Sequence, residues 1–190
     1  IGMTGIVKPI REVKFLRSML EPFERQPDKA FLVETRGKSL VPIAARETLE
    51  QMARARAFIR GAGVSAGDRV ALLAPNSAGW VAADLAILAE GAVCVPLYSR
   101  QAPRQIAAIL KDCTPKLLLV SDEELQQAIG EAWFDHCRIA RFEELFSAEP
   151  SSEPPVEAGE EQLATIIYTS GTSGEAKGVM LSGANLHFML

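Results

Sequence analysis

A run of glycines, hydroxyl side chains and one lysine follows a short apolar segment near the end of the sequence. Residues 163–168 read LATIIY, which is rich in β-forming residues, and TSGTSGEAKG follows directly. Glycines lack a Cβ atom, so successive backbone N–H groups can converge on one anion. Hydroxyl groups add hydrogen-bond donors, and a lysine adds a mobile positive charge. The pattern therefore predicts a cradle for a polyphosphate.

Three other interpretations of this run are a Walker A loop, a dinucleotide-binding loop and a flexible polar turn. A Walker A loop needs Gly directly before its Lys and Ser or Thr directly after it, whereas Ala176 and Gly178 flank Lys177. The G-x-G-x-x-G fingerprint of dinucleotide-binding proteins is absent from the run. A flexible polar turn between two strands is the ordinary alternative for a stretch rich in Ser and Gly.

The order of residues from Tyr168 to Val179 resembles the phosphate-binding signature of the adenylate-forming enzymes. That family includes acyl-CoA synthetases, firefly-type luciferases and nonribosomal peptide adenylation domains, and its pattern is Tyr-Thr-Ser-Gly-Thr-Thr/Ser-Gly-x-Pro-Lys-Gly-Val. The departures are Glu175 at the free position and Ala176 in place of Pro. Gly183 stands where the family often has His, so no ligand role is assigned to it. The resemblance implies phosphate contacts by Thr169, Ser170, Gly171, Thr172, Ser173, Gly174 and Lys177.

The resemblance also implies a reaction. The family uses ATP and Mg²⁺ to convert a carboxylate into an acyl-adenylate, and then passes the acyl group to a thiol, usually that of coenzyme A. We predict an acyl-CoA synthetase of the long-chain fatty-acid–CoA ligase type, whose small-molecule substrate is a medium- or long-chain fatty acid. The family's catalytic lysine and metal-binding acid lie downstream of the phosphate loop, so no catalytic residue and no metal ligand is assigned within this chain.

We therefore expect the chain to be the N-terminal fragment of a longer ligase, inactive by itself. Two other functions stay open at this point. One is a free-standing module that binds a nucleotide or phosphate without catalysis, and the other is a purely structural piece. Oligomeric state and peripheral membrane contact of the parent protein are also left open.

The elements that must position the loop can be predicted from hydrophobic periodicity. An amphipathic helix is expected over residues 11–25, with Pro22 as a candidate end, and a hairpin over residues 30–43. A second helix follows, ending near Gly61. Apolar strands then alternate with helices, with strands predicted over residues 69–74, 92–97, 116–120 and 137–140, helices over residues 78–90 and 104–111, and a short helix after Asp122. This rhythm predicts an α/β fold with a largely parallel sheet and helices on both faces.

The stretch from Gly67 to Leu97 is also similar to the N-terminal portion of the large domain of adenylate-forming enzymes. We expect an α/β subdomain over residues 1–146 and an acidic, proline-rich connector over residues 147–162, exposed to solvent. Residues 163–190 would begin the next subdomain with the phosphate loop. Within the first unit, Asn76 or Ser77 is expected to cap a helix. Tyr98 and Arg100 follow a strand end, where they could border a site or lie at the surface.

Composition narrows the functional classes. The apolar share of 48% and the charged share of 23% fit a globular protein, and the net charge of -4 argues against nucleic acid as the main partner. The 3 cysteines are in no metal-ligand spacing, so a reducing, cytoplasmic setting is expected. Residues 77–99 are charge-poor enough to suggest a membrane span, but a buried helix leading into a buried strand explains them better.

Overall fold

The computed structural model describes residues 15–130, 132–133, 137–156, 158–170 and 176–189. The helices in this part of the chain are α1 (Phe15–Arg25), α2 (Ala45–Gly61), α3 (Ala78–Ala89), α4 (Pro103–Cys113), α5 (Glu123–Gly130), α6 (Phe142–Ser147) and α7 (Gly183–Phe188). The strands are β1 (Ala30–Arg36), β2 (Ser39–Ala44), β3 (Arg69–Leu73), β4 (Val93–Leu97), β5 (Leu117–Val120), β6 (Arg138–Arg141), β7 (Leu163–Ser170) and β8 (Ala176–Ser182). The helices and strands predicted from periodicity are confirmed within these ranges, and residues 11–14 of the first predicted helix lie outside them. The elements α6, β8 and α7 were not predicted.

The main sheet has six strands in the order β6-β5-β3-β4-β7-β8. Strands β3 to β7 are parallel, and β8 runs antiparallel to β7 at the edge. The predicted hairpin of β1 and β2 forms a separate two-stranded sheet. Since β7 pairs with β4, the phosphate segment continues the same sheet as the preceding strands. The proposed division into subdomains at residues 147–162 stays a prediction.

Helices cover both faces of the sheet, as predicted. Val70 and Leu72 of β3 join one apolar cluster with residues of α2 and α3, whereas Ala71 and Leu73 join a second cluster with residues of α4. All four side chains are fully buried. Because successive residues of a strand face opposite sides, an uninterrupted apolar run is what a doubly covered strand requires. The predicted fold class is therefore confirmed.

The structure defines two helix ends for which the sequence left two possibilities each. Of the two predicted caps, Ser77 is the one that caps α3: its side chain accepts a hydrogen bond from the Trp80 N–H at 3.1 Å, and its extended backbone suits this position. Pro22 lies within α1, which continues to Arg25. The apolar face of α1, including the buried Leu20, packs on the core, and this packing outweighs the loss of one backbone hydrogen bond at the proline.

The acidic connector is bound along its backbone to the helices beneath it. The N–H of Ser151 donates to the Ala53 carbonyl at 2.9 Å, and the N–H of Val156 donates to the Ala89 carbonyl at 2.8 Å. The Arg56 guanidinium donates to the carbonyls of Glu153 and Pro154 at 2.7 and 2.8 Å. The side chains of Glu149, Glu153 and Glu161 are exposed, as expected, but the sequence did not indicate that the backbone is held.

A buried ion cluster lies under the connector. Glu90, at the end of α3, accepts from Arg56 at 2.7 Å and from Arg60 at 3.0 Å, and the side chains of Glu90 and Arg56 are each 5% exposed. Arg60 also pairs with Glu153 of the connector. A buried charge is tolerated only when partners satisfy it. The cluster therefore joins α2, α3 and the connector in one hydrogen-bonded unit.

Asp84 of α3 is an acid placed against the sheet. It accepts a hydrogen bond from the Cys94 thiol of β4, but burial outweighs this bond and raises the pKa of Asp84. Burial likewise raises the pKa of the Cys94 thiol well above its usual value, with the nearby Asp84 charge adding to the effect. The thiol of Cys94 therefore stays protonated near neutral pH. Ionisation of the Asp84 carboxyl group is the step that burial makes unfavourable.

Asp84→Asn is expected to stabilise the protein at pH 7. Folding raises the pKa of this acid. Below the pKa of the unfolded state, the acid is protonated in both states and does not lower the free energy of unfolding; the loss grows as pH rises from that value toward the pKa of the folded state. The neutral amide removes that cost and still accepts from the thiol. We expect Tm to rise by about 2–4 °C at pH 7, which corresponds to roughly 1 kcal/mol for a chain of this size.

Thermal unfolding at pH 7 and pH 4 measures this difference. Asp122→Asn is the matched control, because hydrogen bonds from Ser121 and the Leu125 N–H lower the pKa of Asp122, the opposite direction. That control should not gain stability at pH 7. A gain for Asp84→Asn that was equal at the two pH values would contradict the explanation by charge burial.

Candidate functional site

The predicted phosphate segment forms an antiparallel hairpin between β7 and β8. Tyr168 pairs with Gly178, Thr169 with Lys177, and Ser170 with Ala176. Residues directly opposite one another in an antiparallel pair project from the same face, with Cβ atoms about 4.5–5.5 Å apart. The Thr169 hydroxyl and the Lys177 ammonium group therefore project together from one face of the hairpin, and Tyr168 lies on the other face.

The structure places some of the predicted site residues and not others. Thr169 and Lys177 are exposed, so both are available to a ligand. Ser170 is described by its backbone alone, as the last residue of β7. The predicted contacts Gly171, Thr172, Ser173 and Gly174 lie outside the described residues.

A cavity of about 570 Å³ lies at the carboxyl ends of β3 and β4, beside β7. Ligands of parallel α/β sheets bind at this edge because the loops that leave the strands converge there. Polar and aromatic groups share its wall with apolar ones. It is lined by Ala74, Pro75, Asn76, Trp80, Pro96, Leu97, Tyr98, Ser99, Arg100, Gln101, Ile109, Ile167 and Tyr168. The cavity thus adjoins the strand that carries Thr169.

Tyr168 joins the hairpin to helix α4. Its phenol donates to Oδ2 of Asp112, 56 positions away in sequence, over 2.5 Å. Burial raises the pKa of Tyr168, and the hydrogen bond to Asp112 and that residue's charge add to the shift. The phenol therefore stays a neutral donor throughout the physiological pH range.

Gly178 is required by the close approach of the neighbouring strand. A Cβ atom at this position would lie 2.8 Å from Cγ2 of Ile166 and 3.1 Å from Cζ of Tyr168. The Tyr168 ring therefore lies directly over the backbone of Gly178. Packing against β7 therefore requires glycine after Lys177, in addition to its place in the family pattern.

The sequence reasoning missed some residues near the site and predicted others. Tyr98 and Arg100, which were expected to border a site or lie on the surface, both line the cavity. Asn76, expected to be a cap, is exposed there as well. Asp112 was not predicted. The only local indication is its position in the last turn of α4, where the helix dipole disfavours a negative charge.

A family model described as "AMP-binding enzyme" matches residues 20–190. The chain belongs to the AMP-binding enzyme family. The matched range contains all the strands of the main sheet, the hairpin and the lining of the cavity. The resemblance noted at the loop thus extends over most of the chain.

Curated AMP-binding relatives fall into more than one functional type. Tyrocidine synthase 3 of Brevibacillus parabrevis is 29% identical over 181 residues, covering 95% of this chain and 3% of that protein. Long-chain-fatty-acid–CoA ligase FadD15 of Mycobacterium bovis is 28% identical over 161 residues, covering 76% of this chain and 27% of that protein. The chain thus spans a small part of the length of these relatives.

A solved structure with the same fold is the inhibitor-bound N-terminal domain of FACL13 from Mycobacterium tuberculosis. It is 28% identical, with a TM-score of 0.74, and the match covers 90% of this chain and 44% of that one. The fold of this AMP-binding chain is therefore that of the N-terminal region of adenylate-forming enzymes.

Two further observations apply to the part of the chain that the structure describes. No helix there is both long enough and apolar enough to cross a bilayer. Likewise, no group of three or more His, Cys, Asp or Glu side chains in this part could hold a metal ion.

Proposed function

We propose that the chain carries the phosphate-binding hairpin of a ligase that uses ATP to activate a carboxylic acid. The observation that best supports this proposal is the pairing of Thr169 with Lys177 on one exposed face of the hairpin. A hydroxyl donor and an ammonium group on one face form a site suited to an oxyanion, and membership in the AMP-binding family makes the polyphosphate of ATP the expected ligand.

In this proposal, the chain's residues bind and orient the departing pyrophosphate. Lys177 neutralises the charge that develops on the β- and γ-phosphates, and Thr169 donates a hydrogen bond to their oxygens. The proposed contacts also include Ser170, Gly171, Thr172, Ser173 and Gly174. Lys177 acts as an electrostatic clamp and not as a nucleophile.

Mg²⁺ would enter with ATP under this proposal. Magnesium in nucleotide sites is commonly held by substrate phosphates, waters and one or two carboxylates, so a dedicated protein cage is not needed.

The proposed acceptor of the acyl group is the thiol of coenzyme A. The proposed setting is the cytoplasm, because a reducing compartment suits the free cysteines Cys94, Cys113 and Cys137.

The proposed substrate is a fatty acid. FadD15, a long-chain-fatty-acid–CoA ligase, supports an acyl-CoA synthetase, whereas tyrocidine synthase 3 supports an adenylation domain of a peptide synthetase. These alternatives share carboxylate activation and differ in the acid and in the thiol that receives it.

Exchange of labelled pyrophosphate into ATP tests the proposal in the complete polypeptide that contains this chain. We expect exchange only when a carboxylic acid is added, because the carboxylate oxygen displaces pyrophosphate when it bonds to the α-phosphorus of ATP. A panel of fatty acids, aromatic acids and amino acids identifies the substrate class, and formation of a thioester with coenzyme A identifies the acceptor. Exchange without any acid, or no exchange with any member of a broad panel, would contradict carboxylate activation.

The alternative is a module that binds a nucleotide or phosphate without catalysis. Calorimetric titration of pyrophosphate and MgATP into the 190-residue chain separates binding from catalysis. Binding by this chain together with acid-dependent exchange by the complete polypeptide supports the ligase. Binding without exchange in any form of the protein would favour the module.

A further inference from the structure

The hairpin that carries Thr169 and Lys177 is fixed from its opposite face. The Tyr168 ring lies over Gly178 on β8, and its phenol reaches Asp112 on α4. One side chain therefore contacts both strands of the hairpin and a helix that belongs to neither. The contacts lie directly behind the pair of residues proposed to bind phosphate, since Thr169 follows Tyr168 and Lys177 precedes Gly178.

The end of α4 is a firm support for this contact. Arg69, the first residue of β3, donates from Nε to the Cys113 carbonyl, and its Nη2 donates to Oγ1 of Thr114 at 3.0 Å. Thr114 closes the helix in the left-handed conformation, with φ 41°. Asp112 thus lies on a helix end that is tied to the centre of the sheet.

The position of Asp112 points to a purpose beyond helix stability. It lies in the last turn of α4, where the carbonyl ends of the helix disfavour a negative charge. A neutral residue would suit the isolated helix better. What Asp112 does have at this position is a partner outside its own helix, the phenol of Tyr168.

We propose that the Asp112–Tyr168 hydrogen bond is a positioning device, which holds the hairpin so that Lys177 and Thr169 meet the polyphosphate in a defined geometry. This inference rests on the proposed function for its ligand. It assigns no direct ligand contact to Asp112 or Tyr168. Preorganisation of this kind raises affinity because less freedom is lost when the ligand binds.

Removal of the phenol hydroxyl tests the proposal while leaving the ring over Gly178. For Tyr168→Phe and for Asp112→Ala, we expect the dissociation constant for pyrophosphate, measured by calorimetry on the 190-residue chain, to rise about 3- to 10-fold, within the range of one lost hydrogen bond. The double variant should be no weaker than either single variant, because both remove the same bond.

Two variants separate positioning from general destabilisation. Asp112→Asn keeps an oxygen that can accept from the phenol, so it should bind nearly as the unchanged protein does. Lys111→Ala, at an exposed neighbouring position of α4, is the matched control and should leave affinity unchanged. Unchanged affinity in both Tyr168→Phe and Asp112→Ala would overturn the inference, and so would a loss in Asp112→Asn as large as that in Asp112→Ala.

Hydrogen exchange measured by mass spectrometry keeps this test separate from the test of the proposed function. Peptides covering residues 163–170 and 176–182 should exchange about 3- to 10-fold faster in Tyr168→Phe, while Lys111→Ala leaves them unchanged. Failure of the unchanged protein to bind pyrophosphate would contradict the proposed function alone. Unchanged exchange in the hairpin of Tyr168→Phe would overturn the anchor, whatever the chain binds.

Discussion

Lys177→Ala is expected to weaken binding of pyrophosphate to the chain by about 10- to 100-fold. A hydrogen bond to a charged group contributes about 1.5–3 kcal/mol, and each 1.4 kcal/mol is a tenfold change in affinity. Lys177 is exposed, and no ion pair engages it within the described residues. Its charge is therefore available to the ligand, and its removal should not disturb the fold.

Calorimetric titration measures this loss, and thermal unfolding serves as the check on folding. Lys177→Arg keeps the charge but changes its shape, so it should retain part of the affinity. Lys38→Ala is the matched control, since Lys38 is an exposed lysine at the turn of the β1–β2 hairpin, remote in sequence from the site. Equal weakening by the Lys177 and Lys38 variants would mean that net charge, and not this position, attracts the anion.

Glu90→Ala is expected to cause the largest loss of stability, about 3–5 kcal/mol. It removes the acid that Arg56 and Arg60 share, and it leaves the Arg56 guanidinium buried with only the connector carbonyls as partners. For a chain of this size, that loss corresponds to a fall in Tm of roughly 6–20 °C. The connector should also become more sensitive to protease, because Arg56 and Arg60 hold it.

Glu50→Ala is the matched control for this change. Glu50 pairs with Arg54 on the same helix α2, but its side chain is 61% exposed, so its removal should cost at most about 1 kcal/mol. Thermal or urea unfolding of the two variants, with limited proteolysis of residues 147–162, makes the comparison. Similar losses in both would show that the buried cluster has no special importance.

Much of the fold follows from local pattern. The strands β3, β4 and β5 are apolar runs, α3 is apolar almost throughout, and α4 keeps its apolar residues in phase. The types of these elements could therefore be predicted without tertiary information. β8 was not predicted. The sequence of β8, AKGVMLS, has no uniform apolar character, and it forms a strand because β7 offers it a free edge.

The candidate site could likewise be predicted only in part from the sequence. The residue types around Lys177 were enough to predict a phosphate cradle, because donors, glycines and a positive charge are properties of the residues themselves. Partners distant in sequence were beyond such reasoning. Glu90 and Arg56 are 34 positions apart, and Tyr168 and Asp112 are 56 apart.

The sequence by itself therefore determined the α/β class and the order of most elements, and it predicts a phosphate ligand for the hairpin. Only the tertiary structure decided which face Thr169 and Lys177 share, what lies behind them and what holds the connector. The physical reason is that periodicity records which side of an element is buried, whereas the partner across that buried side is selected by the packing of the whole chain.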